Sequence, residues 1–408
     1  MNYAVGVVGL GKLGTPLALL IAEAGHFVQG VDLDEKRVAD LKAMKVQDSE
    51  PGVKELLNDS KLNIKFSVDF DSLADTEIIY IIVPTPSLEN GYFSNDYVKQ
   101  ALIQIGKSIS SSLLEQLIVV VSTVMPGSTN GELRKALDSA LPIDLQDKKK
   151  IIYSPEFIAL GSVVQNLQYP DLILVGADNP QDCQPHLQIC TSISKNSPDI
   201  KILNIEEAEL VKLAINTFIT MKITFANFIG EIARKSSKVS ADEVCRAIGG
   251  DSRIGAKYLS PGLGFGGPCF PRDNRAFSEY GKSLQLSADL AIATEQINKR
   301  LPRNIAQWIA ENHPKDTKLA ILGITYKENT EVTEESQAIS LANELNTLGF
   351  RVFVHDPLLT VKPKTLREEI KFSNDFNEIF ECDVALRTTN WPPYLEISQD
   401  SIKLLSLK

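Results

Sequence analysis

The chemistry this chain offers is concentrated in Gly262-Leu263-Gly264-Phe265-Gly266-Gly267-Pro268-Cys269-Phe270-Pro271-Arg272-Asp273. Four glycines in six positions leave a backbone free to take positive φ and to approach a ligand closely. Pro268 and Pro271 bracket Cys269 and limit its local freedom. Arg272 and Asp273 put charge beside the thiol, and a cationic neighbour favours the nucleophilic thiolate. An inert cysteine in a Gly-rich surface turn is the bland alternative; the setting favours the nucleophile. A second polar set, Lys212, Asn216 and Asn227, sits in an apolar, proline-free helical run from Glu207 to about Arg234. Their spacings put all three on one helical stripe. Buried lysine and amides are costly without partners, so the stripe faces a ligand, a polar layer or a subunit seam.

The elements that must position these groups alternate. Tyr3 to Val8 reads as a buried strand, Thr15 to Ala24 as a helix and Phe27 to Val31 as a second strand. Gly9-Leu10-Gly11-Lys12-Leu13-Gly14 stands at the first turn and Asp32 at the end of the second strand. The glycines allow the turn, the approach of a pyrophosphate and close helix packing, and the helix N-terminus favours phosphate charge. Asp32 hydrogen-bonds an adenosine ribose in such units and repels a 2′-phosphate, which selects NAD over NADP. Arg37 either adds charge near that ribose or is a solvated helix residue. Strands at Glu77–Val83 and Gln116–Val121 end in Pro84-Thr85-Pro86 and Ser122-Thr123, so Thr85 and Thr123 are either site hydroxyls or turn caps. Lys318–Gly323, Ala338–Leu348 and Arg351–His355 repeat the strand-helix-strand pattern. The expected fold is α/β: two Rossmann-like doubly wound domains joined by a helical segment with a long central helix. Its expected bounds are 1–203, 204–312 and 313–408.

Composition sets the limits. A chain of 408 residues with 43% hydrophobic and 23% charged residues has material for two or three cores. Its net charge of −10 argues against a nucleic-acid partner. Five scattered cysteines without a C-x-x-C, and four spread histidines, suggest no disulfide framework, no metal site and a reducing cytoplasm. Neither a signal peptide nor a membrane-length apolar run is read.

Taken in order, the motifs resemble the UDP-glucose/GDP-mannose dehydrogenases across nearly the whole chain. They are the glycine turn, Pro84-Thr85-Pro86, Ser122-Thr123-Val124, Pro155-Glu156-Phe157, Glu209-Leu210-Val211-Lys212 with Asn216, Arg253-Ile254-Gly255, and the cysteine loop. The resemblance implies NAD-dependent, four-electron oxidation of a nucleotide-sugar C6 alcohol to a uronate, with UDP-glucose leading. Cys269 is then the nucleophile, Lys212 and Asn216 oxyanion partners, and Asp273, Thr123 and Glu156 the groups that activate water. Gly9, Gly11, Leu13, Gly14, Asp32, Arg37, Thr85 and Thr123 would hold the cofactor. Phe157, Lys212, Asn216, Arg253, Tyr258, Gly266, Gly267 and Lys327 would hold the substrate, Arg253 across the interface of a homodimer built on the central helix. The last domain would take the nucleotide sugar, in precursor synthesis for capsule or other glycans.

Several positions depart from the family pattern. Leu160 stands where P-E-F-L-x-E has its second glutamate, although Phe157 is not the arginine of the N-acetylhexosamine branch. Glu334-Glu335-Ser336 replaces Arg-Glu-Ser, and Phe228 follows Asn227 in place of glutamate. UDP-N-acetylhexosamines, GDP-mannose and a non-catalytic binding role therefore stay open. An epimerase or lyase is disfavoured because none of the ten tyrosines has a lysine four residues on.

Overall fold

The computed structural model describes residues 2–45, 50–59, 61–236, 238–398, 402–405 and 407. The chain divides into two compact units, Met1–Lys212 and Leu213–Lys408. The first is built on eight strands: β1 (Ala4–Val8), β2 (Phe27–Val31), β3 (Ile64–Ser67), β4 (Ile78–Ile81), β5 (Gln116–Val120), β6 (Lys149–Tyr153), β7 (Leu172–Gly176) and β8 (Asp199–Leu203). They lie in the order β3-β2-β1-β4-β5-β6-β7-β8. All neighbours are parallel except β6 and β7, which meet antiparallel at Tyr153 and Gly176. Runs such as Ile78-Ile79-Tyr80-Ile81 are buried on both faces, as strands covered from two sides must be. Ile78 and Tyr80 enter one apolar core, Ile79 and Ile81 the other.

The second unit carries β9 (Lys318–Leu322), β10 (Arg351–His355), β11 (Lys371–Ser373), β12 (Val384–Arg387) and β13 (Lys403–Leu405). Their order is β11-β10-β9-β12-β13, all parallel. The turn after β1 recurs after β9. Gly9 and Gly323 both have φ +94, and their N–H groups donate to Val31 O at 2.9 Å and His355 O at 2.8 Å. An aspartate closes each turn: Leu10 N donates to Asp32 Oδ2, and Ile324 N to Asp356 Oδ2. The two copies differ in what the carboxylate has left to offer. Asp356 is buried and also accepts from Thr325 N, Thr325 Oγ1 and Leu358 N, whereas Asp32 lies at a cavity wall. Only the first turn is equipped to meet a ribose.

Helix α1 (Gly14–Glu23) follows the first glycine turn. Helix α2 (Ile205–Lys235) runs 31 residues and belongs to the first unit up to Lys212 and to the second beyond it. By length and composition α2 could cross a membrane, contrary to the expectation that no apolar run is long enough. Its buried Glu209, Lys212, Asn216 and Asn227 all have hydrogen-bond partners within the protein, as polar groups of a core helix require. Helices α3 (Ala241–Gly249), α4 (Phe270–Ser283), α5 (Asp289–Asn312) and α6 (Gln337–Thr347) complete the second unit's framework. Helix α4 begins in what reads as loop sequence. Pro271 falls in its first turn, where the missing N–H costs nothing and the fixed φ suits the helix. Helix α5 runs through Pro302 to Asn312.

Candidate active site

In the first unit the crevice opens at the C-terminal ends of β1 and β4, where strand order reverses. A cavity of about 1140 Å³ lies there, lined by Gly9, Gly11, Lys12, Leu13, Gly14, Asp32 and Pro84 among others. A Cβ on Gly14 would run into the Gly9 carbonyl, and one on Gly9 into the Ile82 carbonyl, so the turn closes only with glycine at both. Amides, acid and space fit a dinucleotide laid across the switch point. Arg37 is half-buried and ties down this turn, donating to Leu10 O at 2.9 Å and Thr15 Oγ1 at 3.1 Å. Thr85 is buried, and its hydroxyl braces the ends of β4 and β5 by donating to Thr123 O at 2.7 Å.

Lys212 is the last residue of this unit, 8% exposed. Its Nζ donates to Glu156 O at 2.8 Å and stands 4.8 Å from the centroid of the Phe157 ring, so carbonyl and π face hold the ammonium together. Burial pushes the Glu156 carboxyl up to about 7 while the Lys212 charge pulls the other way, which leaves it poised near neutrality. Three further groups support this corner, of which His186 carries no functional signal in the sequence. Glu209, fully buried one turn before Lys212, accepts from Gly127 N at 2.6 Å and Thr129 N at 2.8 Å, binding the loop after β5 to α2. His186 bridges Tyr80 Oη at 3.0 Å and Ser154 Oγ at 2.9 Å, and burial lowers it to about 4, so it is neutral. Leu160 turns into the apolar core of this unit.

In the second unit Cys269 caps the N-terminus of α4, and its carbonyl accepts the first helical bond from Asp273 N at 2.8 Å. It is exposed, whereas the other four cysteines are buried. Asp273, only 1% exposed, accepts from Asn216 Nδ2 at 2.6 Å, with Arg272 Nε 3.5 Å from its other oxygen. Tyr258 takes a left-handed φ of +65 and sets its ring edge-on to Phe270, the residue after the thiol. Lys327 sits half-buried in the turn after β9, next to Tyr326, whose ring covers Gly267. Arg253 lies on an exposed turn, paired with Asp251 at 2.7 Å. Asn227 clamps the loop backbone: its amide donates to Leu263 O at 3.0 Å and accepts from Gly262 N at 2.8 Å. Asn298 on α5 does the same for Phe265, with both bonds at 2.9 Å. Nothing in the sequence marks that second clamp, because its spacing to the loop means nothing until α5 packs against it. Among the described residues no group of three or more His, Cys, Asp or Glu is placed to hold a metal ion.

Sequence profiles of the UDP-glucose/GDP-mannose dehydrogenase family match in three stretches: the NAD binding domain at residues 3–194, the central domain at 206–300 and the UDP binding domain at 320–406. The UDP-glucose 6-dehydrogenase AglM of Haloferax volcanii is 30% identical over 97% of this chain and 93% of its own. The UDP-glucose 6-dehydrogenase of Rhizobium meliloti is 28% identical, over 97% and 91%. The solved structure of a UDP-glucose dehydrogenase from Pyrobaculum islandicum superposes with a TM-score of 0.88 at 31% identity, covering 98% of this chain and 92% of that one. A UDP-D-ManNAc dehydrogenase from Pyrococcus horikoshii shares the fold at 22% identity, with a TM-score of 0.81 and coverage of 98% and 93%. With a dinucleotide crevice in its first unit and an exposed cysteine at the end of a glycine loop in its second, this chain belongs to the UDP-glucose/GDP-mannose dehydrogenase family and is an NAD-dependent nucleotide-sugar dehydrogenase.

Proposed function

We propose that the protein oxidises UDP-glucose to UDP-glucuronate in two steps at one carbon, through a covalent intermediate on Cys269. The observation that carries this is the single exposed thiol, one helical turn from a buried Asp273–Asn216 pair. Bound NAD supplies the hydride acceptor for each oxidation. Loss of hydride and a proton from the C6 alcohol leaves an aldehyde, to which the Cys269 thiolate adds as a thiohemiacetal. Loss of a second hydride gives the thioester, and water releases the uronate and regenerates the thiol. Lys212 and Asn216, one turn apart on α2, act on the oxyanion of each tetrahedral species. Lys212 uses the ammonium hydrogens not given to Glu156 O, and Asn216 the second hydrogen of Nδ2. Glu156, near neutrality, takes the proton of the attacking water, with Thr123 orienting it and Asp273 fixing Asn216.

UDP-glucose is the leading sugar because two relatives at 30–31% identity are named for it. UDP-N-acetylhexosamine is the second reading, favoured by Leu160, which is apolar, half-buried and packed against the core. The last α/β segment takes the nucleotide, with Lys327 and Tyr258 beside its phosphates. Phe218, Phe225, Phe228 and Ile232 form an exposed apolar stripe on α2, which supports a homodimer in which Arg253 serves the partner's site. A soluble nucleotide-sugar substrate and four buried free cysteines support a cytoplasmic setting.

The test is NADH formation with UDP-glucose, UDP-GlcNAc, UDP-ManNAc and GDP-mannose, with Cys269→Ala alongside. Two NADH per UDP-glucose, lost in the variant, is the expected result. Uronate formation by Cys269→Ala would refute the covalent route, and turnover of another sugar alone would refute the substrate.

A further inference from the structure

Three supports hold the loop that ends in Cys269, and two are the asparagine clamps of Asn227 and Asn298. The third comes from the segment after β9. Gly267 N donates to Glu334 O at 2.9 Å. A Cβ on Gly266 would stand 2.5 Å from Glu335 O, and one on Gly267 2.5 Å from the Tyr326 ring, so the loop presses its bare backbone onto this segment. Glu335 sits there with φ +50, a left-handed conformation that a glutamate adopts only when its surroundings impose it. The side chain that meets it there is Arg275. Its Nη2 meets Glu335 Oε1 at 2.6 Å, and its Nε is held from the other side by Glu295 at 2.6 Å, itself paired with Lys299 at 2.7 Å. Arg275 lies on α4, the helix that Cys269 caps. The ion pair therefore closes a ring that runs from Cys269 along α4 to Arg275, across to Glu335, and through the Glu334–Glu335 backbone to Gly266, Gly267 and back to the thiol.

We propose that Arg275 and Glu335 are positioning residues for the oxidation: their ion pair presses the Glu334–Glu335 backbone against Gly266–Gly267 and so sets the direction of the Cys269 thiol. The inference rests on Cys269 as the nucleophile. Each partner is 36% exposed, so the pair adds little to global stability, and its effect is read in the loop it braces. The segment that braces the thiol also carries Lys327, so nucleotide binding and thiol orientation share one structural element.

The experiment uses the full-length enzyme and the variants Arg275→Ala, Arg275→Lys, Glu335→Gln and the Arg275→Ala/Glu335→Gln double. Steady-state kcat and KM, the iodoacetamide alkylation rate of Cys269 by peptide mass, and Tm are measured for each. Either single loss is expected to lower kcat about tenfold, since misplacing a reacting atom by about 1 Å can cost a hundredfold, with KM for NAD within about twofold of wild type. The alkylation rate should shift in the same variants, Arg275→Lys should recover part of kcat, and the double should be no worse than the worse single. Wild-type kcat and alkylation in both singles would overturn the proposal, as would losses that multiply in the double. Glu335→Gln keeps side-chain volume and decides the matter should Arg275→Ala fail to fold. The nucleophile reading fails separately, by uronate formation in Cys269→Ala, and the alkylation rates still report whether the pair sets the thiol.

Discussion

Glu156→Gln should leave a pH signature in both stability and turnover. The carboxyl titrates near 7 in the folded chain against an ordinary 4.5, because desolvation outweighs the Lys212 charge. Between those values the folded state keeps a proton that the unfolded chain has lost, so stability falls as pH rises from 4.5 to about 7 and levels off above. The displacement is worth about 3 kcal/mol at about 1.4 kcal/mol per pH unit, an upper bound reached only above the folded pKa. Glutamine cannot ionise, so the variant should lack this slope. Urea unfolding of wild type and Glu156→Gln at pH 5 and pH 8 measures the difference directly. In turnover the base must be ionised, so hydrolysis of the thioester should rise with pH around 7 in wild type. The variant should release two NADH per Cys269 rapidly, one for each hydride step, and then stall, with the acylated thiol visible by mass. Equal loss of stability in both proteins between pH 5 and pH 8 would show that Glu156 is not the displaced carboxyl. Sustained multiple turnover and uronate release at the wild-type rate in the variant would remove it as the base.

Three further outcomes follow from single contacts. Lys149 is fully buried and donates at 2.8 Å to Ser112 O, Leu114 O and Gln116 Oε1, so Lys149→Met orphans three acceptors. It should cost about 3 kcal/mol in urea unfolding, without altering kcat of the folded fraction. Gly267→Ala combines φ +80 with a collision against the Tyr326 ring. Its kcat should fall about a hundredfold while calorimetric NAD affinity stays at the wild-type value. Asp32→Ala removes the acid at the crevice wall, and titration should show NAD binding weakened by about tenfold and NADP binding gained.

The first crevice was legible because its determinants are local. Gly9, Gly11, Gly14 and Asp32 lie within one βαβ unit, and backbone sterics force glycine at the turn wherever the rest of the chain goes. Cys269 and the Lys212–Asn216 spacing were legible for the same reason, as short motifs with chemical meaning. The strand ladder was legible from runs of buried β-branched residues, with small errors at the ends.

Other features depend on residues far apart in the chain. Pro271 and the glycines before it read as loop, yet α4 begins at Phe270 because proline in the first turn loses no hydrogen bond. Asn227 reads as facing a ligand, a polar layer or a subunit seam, and its clamp on the loop's backbone depends on where Gly262 and Leu263 fold back. Asn298 and Arg275 stand out in no motif, and the partners of Glu209 and Glu335 are not legible either, because a carboxylate or amide gains its role only from the distant backbone or cation that packing brings to it. The near-neutral Glu156 has the same origin: composition names the carboxyl, and only tertiary burial decides how much water it loses. From sequence alone came the family, the cofactor turn and the glycine loop that ends in Cys269, all set by local sterics and short-range chemistry. The tertiary structure decided which polar groups brace that site and which are poised to act in it, because desolvation and long-range hydrogen bonds exist only in the folded chain.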